Sequence, residues 1–204
     1  GGALERIVEL SERQGESKRA VAALQMLQHA ESNPKARLVL LDKLYALDER
    51  VNDPLAMLQT AQDAFNCDPS DSVWQNRVFS LLKGGGDLPG LAEALNRASL
   101  ACPGSTDLTL KLVEVNRQLG NYSQALEVLD GVLASGVESA SLSCERGRLL
   151  FELGRYQEAL TELELADDGT PAAAEMLLAA IEAATSDADA ERSRQLGVRQ
   201  VNLL

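Results

Sequence analysis

Apolar residues follow the three-and-four spacing of a buried helix face in the best-defined part of this chain. In 140–153, Leu142, Leu149, Leu150 and Leu153 recur at that interval, and the alternation of a half-buried strand is absent. In 156–166, Tyr156, Leu160 and Leu163 form one stripe, with Ala159 and Ala166 beside it. Gly154 separates the two stretches, because glycine takes the left-handed conformation that closes a helix at little cost. Pro171 marks the exit, since proline breaks a helix interior but suits the first turn of the next helix. The pattern predicts two helices joined by a tight turn.

That unit repeats. Leu119-Gly-Asn-Tyr-Ser-Gln-Ala-Leu126 matches Leu153-Gly-Arg-Tyr-Gln-Glu-Ala-Leu160 at Leu, Gly, Tyr, Ala and Leu, at an offset of 34 residues. One period earlier, Gly86, Leu88, Leu91 and Leu95 occupy the same places. Ala64, Ala98, Val132 and Ala166 form a second column at that period, and Pro69, Pro103, Val137 and Pro171 a third. The register predicts five units, 4–37, 38–71, 72–105, 106–139 and 140–173. Residues 1–3 read as a leading remnant or linker, and 174–204 as an incomplete sixth repeat or capping helices. Small alanines at 125, 159 and 166 fit close helix crossings.

The Leu-Gly-x-Tyr-x-x-Ala-Leu core, the later small residue and the closing proline resemble the tetratricopeptide repeat. The likeness is strongest over 106–173 and fair over 38–105; in 4–37, Pro34 falls one place early. Gln75, Thr109 and Ser143 stand where the family has a first-helix tryptophan. Its mid-helix glycine survives as Gly147, with Tyr45, Phe79 and Val113 in the equivalent places. The resemblance implies an all-α fold, a right-handed α-solenoid of stacked antiparallel helix pairs, in which each pair buries its apolar faces only against its neighbours.

It also implies that the first helix of each unit lines a concave groove. The residues placed there are Asn76, Ser80 and Lys83, then Leu110, Glu114 and Arg117, then Arg148 and Phe151. Asn76, Lys83, Arg117 and Arg148 read as a modestly basic, hydrogen-bonding strip, with apolar contact from Leu110 and Phe151. An arginine fork pairs well with a carboxylate. The other reading is of solvated charges paired with Glu114 and Glu152, worth little energetically. Family members that bind chaperone C-termini carry a two-carboxylate clamp. Its places here read Asn76/Ser80, Leu110/Glu114 and Cys144/Arg148, and of these only Arg148 fits, so that partner is rejected.

Charge and chemistry narrow the function. Across 204 residues, 31 Asp and Glu outweigh 19 Lys and Arg, a net charge of −12 and a pI near 4.6, which argues against nucleic acid. An RNA-binding helical repeat would need a basic groove for its base-reading side chains. No apolar run reaches the length of a membrane span. Cys67, Cys102 and Cys144 include no C-x-x-C pair, and His29 is the single histidine, so neither a metal site nor a histidine-based triad is expected. The cysteines read as half-buried thiols, which fits a reducing, cytoplasmic compartment. Gly84-Gly85-Gly86 lacks the context of a phosphate loop and reads as a loosened turn. Trp74 reads as core.

The expectation is therefore a non-catalytic scaffold with no cofactor, holding a protein or peptide partner in the groove. The alternative is a regulatory or substrate-presenting segment cut from a larger bacterial enzyme, such as a glycosyltransferase, or from an envelope or secretion assembly. The start at Gly1-Gly2-Ala3 without methionine, and the apolar Val198, Val201, Leu203 and Leu204, motivate that alternative. The same apolar stripe reads otherwise as a cover for the last repeat. Asp187-Ala-Asp-Ala-Glu191 reads as the acidic start of a helix.

Overall fold

The structure, a computed structural model, describes residues 2–137, 139–166 and 171–201, with the side chains of 12, 165–166, 171–174, 189 and 192–201 left out. Among the described residues every regular element is a helix. In order they are α1 (Gly2–Gln14), α2 (Ser17–Ala30), α3 (Pro34–Val51), α4 (Pro54–Cys67), α5 (Ser72–Gly84), α6 (Leu88–Ala101), α7 (Thr106–Gln118), α8 (Tyr122–Ala134), α9 (Ala140–Glu152), α10 (Tyr156–Ala166) and α11 (Pro171–Val201). They form two compact units, Gly1–Pro103 with α1–α6 and Gly104–Leu204 with α7–α11.

The second helices α4, α6, α8 and α10 begin at Pro54, Leu88, Tyr122 and Tyr156, each 34 residues after the last. Their phase is set by the turn before them. Asn52, Gly86, Gly120 and Gly154 are left-handed, with φ of 56°, 74°, 75° and 73°. Asparagine is the residue that best tolerates this conformation after glycine, so Asn52 keeps the turn where the Leu-Gly motif is lost. Of the triple glycine, only Gly86 needs its freedom: Gly84 ends α5 and Gly85 is right-handed.

The first helices α5, α7 and α9 keep the same period, but α3 starts at Pro34, four residues ahead of register. The cause is local. The Asn33 side chain accepts from the backbone N–H of Lys35 and Ala36, at 3.0 and 3.4 Å, and Pro34 supplies the first helical position. Asp53 and Asp71 cap α4 and α5 in the same way.

In the first unit, consecutive helices pack in chain order, α1 on α2 through to α5 on α6. The core runs through Leu24, Leu41, Leu44, Ala61, Ala64, Phe65, Val78, Leu82, Leu95 and Ala98, all buried. In the second unit, Val113, Ala125, Leu126, Leu129, Leu142, Leu149, Leu150 and Ala159 form one cluster, with Leu110, Tyr122 and Phe151 partly buried against it. Each fully buried leucine contributes roughly 1.5–3 kcal/mol. Ala125 and Ala159 are fully buried at helix crossings, as their size suggested. Ala166 and Pro171 have side chains outside the described residues.

Two expectations at the ends change. Gly2 and Ala3, read as linker, are the first residues of α1. Asp187–Glu191 lies inside α11, a single helix of 31 residues, and not at a helix start. No Pro or Gly falls between Pro171 and Gly197, and alanine, the strongest helix former, fills much of that stretch. The side chains of Val198 and Val201, and all of Leu203 and Leu204, lie outside the described residues.

Candidate functional site

In the first unit, Asn76, Ser80 and Lys83 are exposed along α5, and Asp42, Ala46 and Glu49 are exposed along α3 at matching spacing. Arg77 of α5 bridges the two helices. Its Nη1 donates to Asp42 Oδ1 at 2.9 Å, and its guanidinium lies over the rings of Tyr45 on α3 and Trp74 on α5. Trp74 is buried, as expected of a core aromatic. Its partner Arg77 was not legible beforehand, since a charged residue one place beyond the groove column gave no signal.

In the second unit, Leu110, Glu114 and Arg117 on α7 and Arg148 and Phe151 on α9 are all half-buried. Helices α7 and α9 touch directly. Arg117 Nε and Nη2 both donate to Glu114 Oε2, at 3.0 and 2.7 Å, and Gln118 Nε2 donates to Glu114 Oε1 at 2.7 Å. Arg148 Nη1 donates to Glu145 Oε1 at 3.0 Å, and its Nε faces Met176 Sδ of α11 at 3.4 Å. Burial alone would raise the Glu114 carboxyl. The hydrogen bonds from Arg117 and Gln118, with the charges of Arg117 and Arg148, hold it below the usual carboxylate range. Glu114 in turn raises Arg117, by its hydrogen bond first and its charge second, with Glu145 and Glu152 adding to the field.

The strip in this unit is therefore a mosaic of alternating sign. Arg117 takes Glu114 as its partner, and Arg148 takes Glu145, where Glu152 had been considered. Phe151 stacks edge-on with Tyr156 at 5.4 Å and 64°, which braces the turn between α9 and α10. Arg146 of α9 ties Asp130 of α8 at 2.7 Å and also Glu162 of α10, so three helices share one cation. The three cysteines are half-buried. No group of His, Cys, Asp and Glu among the described residues is arranged to hold a metal, and no described helix is long and apolar enough to cross a membrane.

No protein-family model matches the sequence, and no curated protein matches it. Solved structures do match. A tetratricopeptide repeat protein from Parabacteroides merdae is similar over 94% of this chain and 77% of its own, at 18% identity and a TM-score of 0.51. MamA MSR-1 C2 is similar over 80% of this chain and 98% of its own, at 17% identity and a TM-score of 0.51. A chain in the structure of Naa15/Naa10 bound to HypK-THB is similar over 97% of this chain and 36% of its own, at 15% identity and a TM-score of 0.57. Together with the 34-residue register of helix pairs, these likenesses give the chain the tetratricopeptide-repeat fold.

Proposed function

We propose that this chain is a non-catalytic protein-interaction scaffold, which holds a peptide or helical segment of its partner on the face of the first helices α7 and α9. The observation that carries the reading is the mosaic of α7 and α9. Half-buried arginines, each held by a carboxylate, share the two touching helices with the partly buried Leu110 and Phe151, so donors, acceptors and apolar area come from the same pair of helices. Such a surface suits a peptide, which needs main-chain hydrogen bonds and a few apolar pockets at once. A similar fold in Naa15/Naa10 bound to HypK-THB belongs to a protein assembly, which supports a protein partner here.

A second reading is a regulatory or substrate-presenting segment of a larger chain. It is supported by that same structure, where the matching region is 36% of a longer polypeptide.

The scaffold reading is tested by pulldown from lysate of the source organism with wild type and with Arg117→Glu/Arg148→Glu, using the exposed pair Arg19→Glu/Arg155→Glu as a charge-matched control. Proteins retained by wild type and by the control, but lost with the double variant at unchanged helicity, support it. Equal retention by all three would contradict it.

A further inference from the structure

Arg77 differs from the arginines of α7 and α9 in how it is held. Its guanidinium carbon lies 4.2 Å from the centre of the Tyr45 ring and 4.3 Å from the centre of the Trp74 ring. Those rings meet edge to face, 5.8 Å apart at 84°. Both aromatic residues are nearly buried, at 7% and 4% exposure, while the Arg77 side chain keeps 28%. Among the described residues its one hydrogen bond runs from Nη1 to Asp42, which is itself 65% exposed.

Two consequences follow from this geometry. An arginine normally gives up considerable rotamer freedom when it grips a ligand, and here the two rings have already fixed the planar group. The competing bond to Asp42 is a single exposed ion pair, of the kind worth about 0–1 kcal/mol. An incoming carboxylate accepting two parallel N–H bonds replaces it at little cost. Arg117, by contrast, already gives two donors to one carboxylate oxygen and has less to gain. Asn76 and Ser80 are exposed hydrogen-bonding residues on the same helix.

We propose that Arg77 is a preformed anchor for a carboxylate side chain of an acidic peptide segment, which displaces Asp42 from the guanidinium. The inference rests on the scaffold reading but concerns residues other than Arg117 and Arg148, so each can fail alone.

Trp74 is the single tryptophan of the chain and lies against the anchor, so its fluorescence reports the site directly. The full chain is titrated with capped hexaglutamate and, as neutral control, capped hexaglutamine. The net charge of −12 opposes any acidic ligand at long range. The titration therefore runs at about 0.15 M salt, where fields are screened beyond roughly 8 Å. Hexaglutamate should give a saturable change that hexaglutamine does not. Arg77→Lys, which keeps the charge but loses the fork, should bind about tenfold more weakly, a loss of about 1.4 kcal/mol. Asp42→Asn leaves the stack intact and removes the competitor, so it should bind about threefold more tightly. It also decides the matter if Arg77→Lys does not fold. No saturable response to hexaglutamate, equal affinity in Arg77→Lys, or unchanged or weaker affinity in Asp42→Asn overturns the proposal. If pulldown still depends on Arg117 and Arg148 in that case, the scaffold reading survives without it.

Discussion

Gly147 on α9 lies so close to Leu163 on α10 that a Cβ placed on it would fall 2.7 Å from Leu163 Cγ and 2.9 Å from Cδ2. Carbon atoms in good contact sit about 3.5–4.0 Å apart. The surviving family glycine is thus a packing requirement at this crossing, and fully buried Ala159 faces the same approach, its carbonyl oxygen 3.4 Å from that Cβ.

Gly147→Ala should therefore destabilise the chain. Overpacking costs about 1–3 kcal/mol, more than the roughly 1 kcal/mol by which alanine is the better helix former. Gly131 on α8 is the matched control, because a Cβ there meets nothing within 4 Å. Gly131→Ala should stabilise by about 0.5–1 kcal/mol. Urea unfolding of both variants checks the pair. Equal shifts of the same sign would show that the α9–α10 crossing is looser than described.

The left-handed turn column makes a second prediction of opposite character. Gly120 has φ of 75° and open space where a Cβ would stand, so Gly120→Ala suffers only the backbone penalty, about 1–2 kcal/mol. Asn52→Ala should lose stability in the same way, whereas Asn52→Gly should be neutral or stabilising. Thermal unfolding of the three variants distinguishes this from a side-chain role for Asn52, under which Asn52→Gly would fall with Asn52→Ala.

Much of this architecture was legible because the signals are local. The Leu-Gly-x-Tyr motif, the alanine columns and the proline column fixed the phase of α8 and α10, and Gly154 does close α9. Asn52 was missed because only glycine was sought in its column. The four-residue advance of α3 was missed because Asn33-Pro34 acts as a cap and first-turn pair, which a repeat register alone does not show. For the candidate site, the exposure of Asn76, Ser80 and Lys83 and the half-burial of the residues on α7 and α9 follow from helix periodicity. The pairing of Arg117 with Glu114 and of Arg148 with Glu145 depends on rotamers, and the Arg77 stack on two rings from different helices, so neither appears in a one-dimensional pattern.

Asp48 offers a test by pH. It is 2% exposed on α3, accepts a hydrogen bond from the Thr60 hydroxyl on α4 at 2.8 Å, and burial raises its carboxyl above the usual 3.8 despite that bond. Folding thus favours the protonated form. The cost of ionising it is absent below the usual carboxylate range, where folded and unfolded states both hold the proton. It grows as pH rises from the usual value to the raised folded value and is fully present above that. Asp48→Asn removes that cost, so the variant should melt above wild type at pH 7 and converge with it near pH 3. A variant less stable than wild type at pH 7 would mean that the carboxylate is satisfied in its charged form.

The account turns on which surface meets a partner. A photo-crosslinking amino acid placed at the exposed Gln118 or Glu152, on the first helices α7 and α9, and at the exposed Glu127 or Gln157, on second helices, reads this directly in source lysate. Discrete crosslinked partners are expected at Gln118 or Glu152 and none at Glu127 or Gln157. Partners captured only at Glu127 or Gln157 would contradict it.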